Sequence, residues 1–293
     1  MRLDPRTLGV SDAVVQLENV RFAYRAGVDA LRDVDLQFER GELTALIGNN
    51  GSGKSTLMKL IVGLLKPTEG RVVVDGADTR GAKVSTLAQK IGFIFQNPND
   101  QLFSNSVEEE VAFGLRNLGL PPDEIERRLE ATLEQFGLVD QRGLFPRFLS
   151  RGDKQKVCIA SIVAMRPSVL LLDEPTTGQD HRDSRQILEL ATRLNEGGMT
   201  VLLVTHDLIN VAEYARRVIV LNDGVLVRDG PTADVMADEA LLASCSLVAP
   251  QIVRLSLRLA DLGLPLALRT PDLTDAARAW LRGPRPVSPI YPC

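Results

Sequence analysis

The chain contains few cysteines and histidines, the side chains that form zinc sites and, in the case of cysteine, disulfides. Its 293 residues include only three cysteines, Cys158, Cys245 and Cys293, and two histidines, and the cysteines have no paired spacing. Zinc sites and disulfide frameworks need such side chains in clusters. The sequence therefore argues against both, and a reducing, cytosolic compartment is the default expectation.

Long apolar segments and an excess of one charge are also missing. No apolar run approaches the roughly 18 residues of a membrane-spanning helix, and residues 1–6 do not resemble a signal peptide. A role at a membrane would then require a partner. The net charge of −4, with acids and bases interspersed, argues against broad nucleic-acid binding. The hydrophobic content of 44% is sufficient for a packed core.

A glycine-rich stretch carries the strongest chemical signal. It reads Gly48, Asn49, Asn50, Gly51, Ser52, Gly53, Lys54, Ser55 and Thr56, and it fits the phosphate-binding pattern G-x-x-x-x-G-K-[ST]. A predicted strand at 43–47 precedes it and a predicted helix at 57–62 follows it. In that setting backbone N–H groups and the helix start surround phosphates, Lys54 supplies a charge, and Ser55 offers a hydroxyl to Mg²⁺. The alternative is a glycine turn that caps an ordinary helix.

Two adjacent carboxylates follow another apolar strand. Residues 169–172 predict a buried strand, and Asp173 and Glu174 end it at the carboxyl edge of the sheet, beside the phosphate loop. There Asp173 could hold Mg²⁺ through its hydration shell, and Glu174 could polarise an attacking water. The alternative is a strand end with a solvated pair of acids.

Three further residues lie next to predicted strands and could complete a nucleotide site. His206 follows the strand 200–204 and could hydrogen-bond a γ-phosphate. Gln96 follows the strand 91–95 and could reach metal or water. Tyr24 could stack on adenine, an interaction of about 1–3 kcal/mol for a base on an aromatic ring. Each has a structural alternative, as a satisfied strand-end residue or as a core or edge aromatic.

Strand and helix patterns alternate along much of the chain, which implies a largely parallel sheet covered by helices. Ser106 and Glu109 predict a capping box, and a helix that begins after Pro121-Pro122 is expected to stop at Gly137. The pattern changes near residue 240. Residues 245–283 predict one or two short helices with a strand-like piece, and the Pro-rich residues 283–293 predict a mobile end.

The most discriminating motif runs from Leu149 to Gln155. Together with the motifs above, in this order, it resembles the ATPase subunit of an ABC (ATP-binding cassette) transporter over residues 14–235. The resemblance implies an α/β P-loop NTPase fold with a mostly parallel RecA-like sheet, an antiparallel β subdomain, a helical subdomain at about 100–165 and a short C-terminal extension. It divides the chain into an N-terminal extension at 1–13, the ATPase domain at 14–240 and the extension at 241–293, which is expected to take part in dimerisation.

The same resemblance implies the roles of the site residues and the cofactors ATP and Mg²⁺. It implies that Glu174, His206 and Gln96 are catalytic, that Tyr24 and residues 48–56 bind ATP, and that Ser55, Gln96 and Asp173 hold Mg²⁺. It also implies that the signature Ser150, Arg151, Gly152 and Asp153 acts in trans and that Asp180 belongs to the D-loop. A second ATPase subunit, identical or different, is then required.

A narrower resemblance points to one group of transporters. Residues 95–103, 106–114, 175–180 and the tail 249–252 look like the ATPases of energy-coupling factor (ECF) transporters, which take up cobalt and vitamins. This implies import of a vitamin or transition-metal ion, a transmembrane coupling subunit, a substrate-binding membrane subunit, no nucleic acid, and a peripheral position on the cytoplasmic face of the membrane. The alternatives are a soluble ABC ATPase that acts on nucleic acid or ribosomes, and a small P-loop kinase.

The signature departs from the usual Leu-Ser-Gly-Gly-Gln. Arg151 stands at a glycine position and Asp153 at the glutamine position. Ser150 still suits a helix N-cap, with Asp153 three residues later as in a capping box. A carboxylate near an incoming ATP would repel it, and the sequence hypothesis is that Arg151 offsets this charge.

Overall fold

A computed structural model describes residues 12–25 and 27–282. Nearly all of the predicted N-terminal extension and the whole Pro-rich end, 283–293, lie outside the described residues. The described residues form ten strands: β1 Ala13–Arg25, β2 Val28–Glu39, β3 Leu43–Ile47, β4 Glu69–Val74, β5 Ala77–Asp78, β6 Ile91–Ile94, β7 Val169–Asp173, β8 Thr200–Val204, β9 Arg217–Asn222 and β10 Val225–Pro231. The helices are α1 Lys54–Ile61, α2 Val84–Leu87, α3 Val107–Asn117, α4 Pro122–Phe136, α5 Arg151–Val163, α6 His181–Glu196, α7 Leu208–Tyr214, α8 Thr232–Ala237, α9 Glu239–Ser244, α10 Gln251–Leu259 and α11 Thr270–Arg282.

A six-stranded sheet of order β10-β9-β3-β8-β7-β6 forms the centre of the fold. Neighbours from β9 to β6 pair in parallel, and only the edge strand β10 is antiparallel. The central strands are buried on both faces, which explains why their sequences are continuously apolar. Because parallel strands end at one edge, the segments that follow β3, β6, β7 and β8 meet there.

A second sheet of order β2-β1-β4-β5 is antiparallel. Its inward residues share a hydrophobic core with α1 and with one face of the central sheet, where Leu46, Leu171 and Leu202 point. The alternate residues Ala45, Leu170 and Leu203 point to a second core that reaches the helical region. The α/β fold with a mostly parallel sheet and an antiparallel sheet is thus confirmed.

The helical region consists of α3, α4 and α5, which pack on one another. Ser106 accepts a hydrogen bond from the Glu109 N–H at 3.1 Å, but the Glu109 carboxylate accepts from Asn105 N–H. The capping box is therefore correct in its Ser106 half only. Gly137 adopts the left-handed conformation after α4, with φ of 66°, as the predicted stop requires.

The C-terminal segment differs from its prediction, because residues 245–282 contain helices and turns and no strand. The apolar stretch after α10 contains Pro265, which cannot donate to a strand ladder. Instead, the N–H of Ala267 donates to Ser256 Oγ at 2.7 Å. Leu264, Ala267 and Leu273 form a small core of their own, while Val253 of α10 joins the main core.

Candidate functional site

The loop between β3 and α1 forms a narrow backbone cradle. A side chain at Gly48 would place Cβ 2.1 Å from the carbonyl oxygen of Leu221, and one at Gly53 would meet the oxygen of Ala30 at 2.8 Å. Both glycines have positive φ, at 155° and 105°. Only glycine therefore fits at these two positions, and the loop closes around a space that phosphate groups can enter.

Lys54 extends from the first turn of α1 back over this loop. Its Nζ donates to the carbonyl oxygens of Gly48 at 2.8 Å and Asn49 at 2.9 Å. Burial lowers the pKa of Lys54, and the negative charges of Glu174 and Asp173 act in the opposite direction. The ammonium group is therefore held by hydrogen bonds to two backbone carbonyl oxygens, which phosphate oxygens can replace, and it lies next to two carboxylates.

Asp173 ends β7 in a partly buried position. Burial first, and then repulsion from Glu174, raise the pKa of Asp173 to about 6, although Lys54 and Lys59 oppose the shift. A carboxylate in such a place is costly in the absence of a cation. A bound cation would therefore stabilise the ionised form of Asp173.

Glu174 follows at once and has a positive φ of 47°, which is strained for a residue with a side chain. Its Oε1 lies 2.7 Å from His206 Nδ1, and its Oε2 accepts hydrogen bonds from Thr177 at 3.3 Å and Thr205 at 3.5 Å. Only 13% of the Glu174 side chain is exposed, against 66% for His206. The carboxylate is therefore fixed in orientation, while the imidazole faces open space.

Tyr24 and Gln96 lie at the rim of the same cleft. Tyr24 is 59% exposed, packs edge-on against Phe22, and its hydroxyl lies 3.2 Å from Thr56 Oγ1. Tyr24 is thus not a core aromatic, and its ring is free for a flat partner. Gln96 is exposed just beyond the end of β6.

One cavity of about 1500 Å³ brings these groups together. It is lined by Tyr24, residues 48–56, Gln96, Asp173, Glu174 and His206, as well as by Asp207, Leu208 and Ile209. Sequence reasoning missed a further part of the wall, residues 246–252 with Leu255 and Thr270 of the C-terminal segment. It also missed the two threonines that hold Glu174, although Thr205 directly precedes His206 and Thr177 follows Glu174 by three residues.

The predicted signature lies at the start of α5 and does not line this cavity. Ser150 caps α5 by accepting from the Asp153 N–H at 3.1 Å. The cation beside Asp153 is Lys156, at 3.2 Å, and not Arg151. Burial opposes ionisation of Asp153, but hydrogen bonds from Ser150 and Lys156 outweigh it, and its pKa lies below the usual value.

Arg151 takes a different direction from the one that the sequence hypothesis required. Its guanidinium lies against Gly178, where an added Cβ would be 3.1 Å from Arg151 Cζ. The compensation of Asp153 by Arg151 is therefore corrected in favour of Lys156, which is one helical turn from Asp153. Asp180 caps α6 by accepting from the Asp183 N–H at 2.8 Å.

Comparisons with known proteins agree with this geometry. A family model described as "ABC transporter" matches residues 31–177. The energy-coupling factor transporter ATP-binding protein EcfA of Methanothermobacter thermautotrophicus is 40% identical over 258 residues, which cover 87% of this chain and 83% of the relative. The chain belongs to the ABC transporter ATPase family. The predicted resemblance to the ECF group is confirmed at the same time.

Solved structures of ABC ATPases place the fold in the same family. The structure of cbiO1 from Clostridium perfringens, part of the ABC transporter complex cbiONQ, has a TM-score of 0.74 and 35% identity, and covers 80% of this chain and 94% of that one. The dimeric post-hydrolysis cassette MJ0796 with ADP and Pi has a TM-score of 0.66 and 35% identity, and covers 74% of this chain and 98% of that one.

Two other curated ABC relatives are much longer than this chain. They come from Methanosarcina acetivorans and Caldanaerobacter subterraneus subsp. tengcongensis, and are 42% and 41% identical. The chain spans only 44% and 45% of their lengths.

The donor set of the ABC site fits a nucleotide with Mg²⁺. The cradle at Gly48 and Gly53, the cation of Lys54 and the buried carboxylate of Asp173 match a triphosphate with its metal ion. Among the described residues, no group of three or more His, Cys, Asp or Glu gathers around a point. Mg²⁺ usually takes one or two protein ligands and completes its shell with phosphates and waters, so this donor set is sufficient.

The raised pKa of Asp173 leads to a stability prediction for Asp173→Asn. Above pH 6 the carboxylate is ionised in both states, and its charge costs folded stability in the nucleotide-free chain; below the unfolded value near 4 it is neutral in both and costs nothing. We expect the variant to be more stable than the parent at pH 7.5 by on the order of 2 kcal/mol, or roughly 4–8 °C in Tm. Thermal unfolding from pH 4 to 8 measures the difference.

The difference in stability between Asp173→Asn and the parent should disappear as the pH falls from 6 to 4. Asp33→Asn serves as the control, because it makes the same substitution at an exposed residue of β2. A gap of constant size across this range, or a less stable Asp173→Asn at pH 7.5, would contradict the electrostatic account.

Proposed function

We propose that this chain is the ATP-hydrolysing motor subunit of an ECF-type transporter, which drives uptake of a vitamin or a transition-metal ion through membrane partners. The observation that carries the proposal is the single cavity in which Lys54, Asp173, Glu174 and His206 converge. The relative named EcfA and the neighbour from the cbiONQ complex support the assignment to this class.

The residues of the cavity divide the chemistry among them. Lys54 and the backbone of 48–56 bind the phosphates, and Tyr24 stacks on the adenine. Ser55, Gln96 and Asp173 would hold Mg²⁺, which supplies positive charge at the phosphate oxygens. Glu174 accepts a proton from the attacking water, and His206 both orients this carboxylate and contacts the γ-phosphate with its other nitrogen.

A second cassette completes the proposed site. The start of α5, with Ser150, lies away from the chain's own cavity, so it is available to cap the γ-phosphate held by a partner subunit, identical or different. The D-loop around Asp180 lies at the start of α6. The MJ0796 neighbour, described as dimeric and bound to ADP and Pi, supports this arrangement.

The proposed membrane partners are a transmembrane coupling subunit and a substrate-binding subunit. No helix within residues 12–25 and 27–282 has the length and apolar character to span a bilayer. The helical region exposes three phenylalanines: Phe103 (60%), Phe113 (45%) and Phe148 (87%). Exposed aromatics of this kind are typical of protein contacts. We place the chain peripherally on the cytoplasmic face, where closure of two cassettes moves this surface and the loop after Gln96.

The decisive experiment is purification of the tagged chain from its own membranes in mild detergent, followed by mass spectrometry. We expect integral membrane proteins in the eluate and no nucleic acid. The double variant Phe103→Ala/Phe148→Ala should recover them several-fold less well, whereas Val28→Ala, also strongly exposed but on β2, should not. Recovery of ribosomes or nucleic acid in place of membrane proteins would refute the proposal.

The role of Tyr24 leads to a separate prediction. Tyr24→Ala should weaken MgADP binding about tenfold, because stacking on a base contributes about 1–3 kcal/mol. Tyr24→Phe keeps the ring and loses only the contact with Thr56, so its affinity should fall by less than about threefold. Isothermal titration measures the MgADP affinity of both variants. Tripolyphosphate, which lacks a base, is the control ligand, and neither variant should change its affinity. If Tyr24→Phe proved as harmful as Tyr24→Ala, the hydroxyl and not the ring would be the functional part.

A further inference from the structure

A second cavity, of about 390 Å³, lies away from the nucleotide site and is unusually basic. Five arginines line it and no aspartate or glutamate does: Arg40, Arg127, Arg128, Arg166 and Arg193. We call it the arginine cavity. The chain as a whole has a net charge of −4, so this local concentration of positive charge runs against the overall composition.

Three structural units contribute to the arginine cavity. Arg40 follows β2 of the antiparallel sheet, Arg127 and Arg128 lie on α4 of the helical region, and Arg193 lies on α6 of the central layer. Arg166 stands between α5 and β7. Residues 197–199 close the cavity near the start of β8, which is the sheet edge opposite to the nucleotide.

Acidic partners neutralise only part of this charge. Arg40 pairs with Asp75 at 2.8 Å and Asp12 at 3.5 Å. Arg127 and Arg128 share Glu124, and the Arg128–Glu124 distance is 2.6 Å. The five arginines thus meet three acids, one of which, Asp75, is shared with Lys90, and the cluster remains at least two charges positive.

Arg166 and Arg193 carry the unneutralised charge. Neither forms an ion pair within the described part of the chain, although Arg193 also borders a neighbouring pocket that contains Glu134 and Glu189. Both side chains are exposed. Arg166 also holds a positive φ of 59°, a conformation that is strained for a residue with a side chain. Two free guanidinium groups therefore face one cavity that has no internal counter-ion for them.

We propose that the arginine cavity binds a small phosphorylated anion. Guanidinium groups donate in pairs to phosphate oxygens, and a phosphate group of about two negative charges matches the excess charge of the cluster. The volume lies at the lower end of the range for small-molecule pockets, so the ligand is a compact molecule such as pyrophosphate or a small phosphate ester. Arg166 and Arg193 are the residues that distinguish this site from an internally paired arginine cluster.

The test uses the full chain in a Lys54→Ala background, so that the phosphate loop contributes little to binding. Titration of pyrophosphate should give a Kd of about 0.1–1 mM and raise Tm with ligand concentration. Arg166→Ala/Arg193→Ala should weaken binding tenfold or more, because each loses a charge-assisted hydrogen bond. The affinity of Arg166→Lys/Arg193→Lys for pyrophosphate should lie between that of the Lys54→Ala background and that of the double alanine variant, because it keeps both charges and loses the paired donors.

The matched control is Arg228→Ala/Arg258→Ala. These arginines are exposed, make no ion pair among the described residues, and change the net charge by the same amount. The control should bind pyrophosphate within about twofold of the background variant. Absence of binding at 10 mM, an equal loss in the control, or binding of citrate as tight as that of pyrophosphate would overturn the proposal.

Discussion

Replacement of Glu174 with glutamine is expected to lower kcat for ATP hydrolysis by about 10²–10³-fold while nucleotide binding is retained. The variant keeps an oxygen that can accept from Thr177 and Thr205, so the side chain stays in place. It loses the carboxylate that would take the proton from water. Loss of this charge also removes the repulsion that raises the pKa of Asp173. The ionised Asp173 is then easier to form, which should favour binding of MgATP.

The Glu174→Gln variant should accumulate as an ATP-bound pair of cassettes. Pairing depends on the γ-phosphate, and this variant cannot remove the γ-phosphate by hydrolysis. Steady-state phosphate release and light scattering with MgATP measure the two effects. Glu189→Gln changes a partly exposed acid of α6 that pairs with Arg185; it is the matched control and should leave both measurements unchanged. Hydrolysis by Glu174→Gln at the parental rate would show that Glu174 is not the base.

Replacement of Lys54 with methionine is expected to weaken MgATP binding by about 100-fold. Methionine keeps most of the length of the side chain and removes only the ammonium group, which can form charge-assisted hydrogen bonds of about 1.5–3 kcal/mol to phosphate oxygens. This ammonium donates to the carbonyl oxygens of Gly48 and Asn49, which positions it inside the cradle.

Lys59→Met tests whether any cation on α1 would do. Lys59 is exposed on the same helix and acts on Asp173 only through its charge, so we expect less than a threefold change in affinity for this variant. Both variants should unfold within a few degrees of the parent in the absence of nucleotide. Unchanged MgATP affinity for Lys54→Met would mean that the backbone cradle alone binds the phosphates.

Much of the fold was predictable because its signals are local. The strand at 43–47, the phosphate loop and the helix after it follow from apolar periodicity and glycine spacing. The strand forms at the predicted residues, and the helix begins at Lys54, three residues before its predicted start. The strand-like piece predicted after residue 245 was wrong, because local apolarity does not show that the N–H of Ala267 is taken by Ser256, eleven residues earlier.

The residues from 48 to 56, Gln96, Asp173, Glu174 and His206 were named from the sequence and line one cavity, but their contacts could not be read from it. The sequence by itself determined the family, the order of the motifs and the chemical type of each side chain, since these depend only on residue identity and spacing. Only the tertiary structure decided that His206 contacts Glu174, that Lys156 and not Arg151 pairs with Asp153, and that residues 246–252 line the cavity beside the phosphate loop. The arginine cavity likewise unites residues from Arg40 to Arg193. Contacts between distant segments depend on how the layers pack, and the partner of a charged side chain depends on which nearby groups the packing brings within bonding distance. No local sequence pattern contains that information.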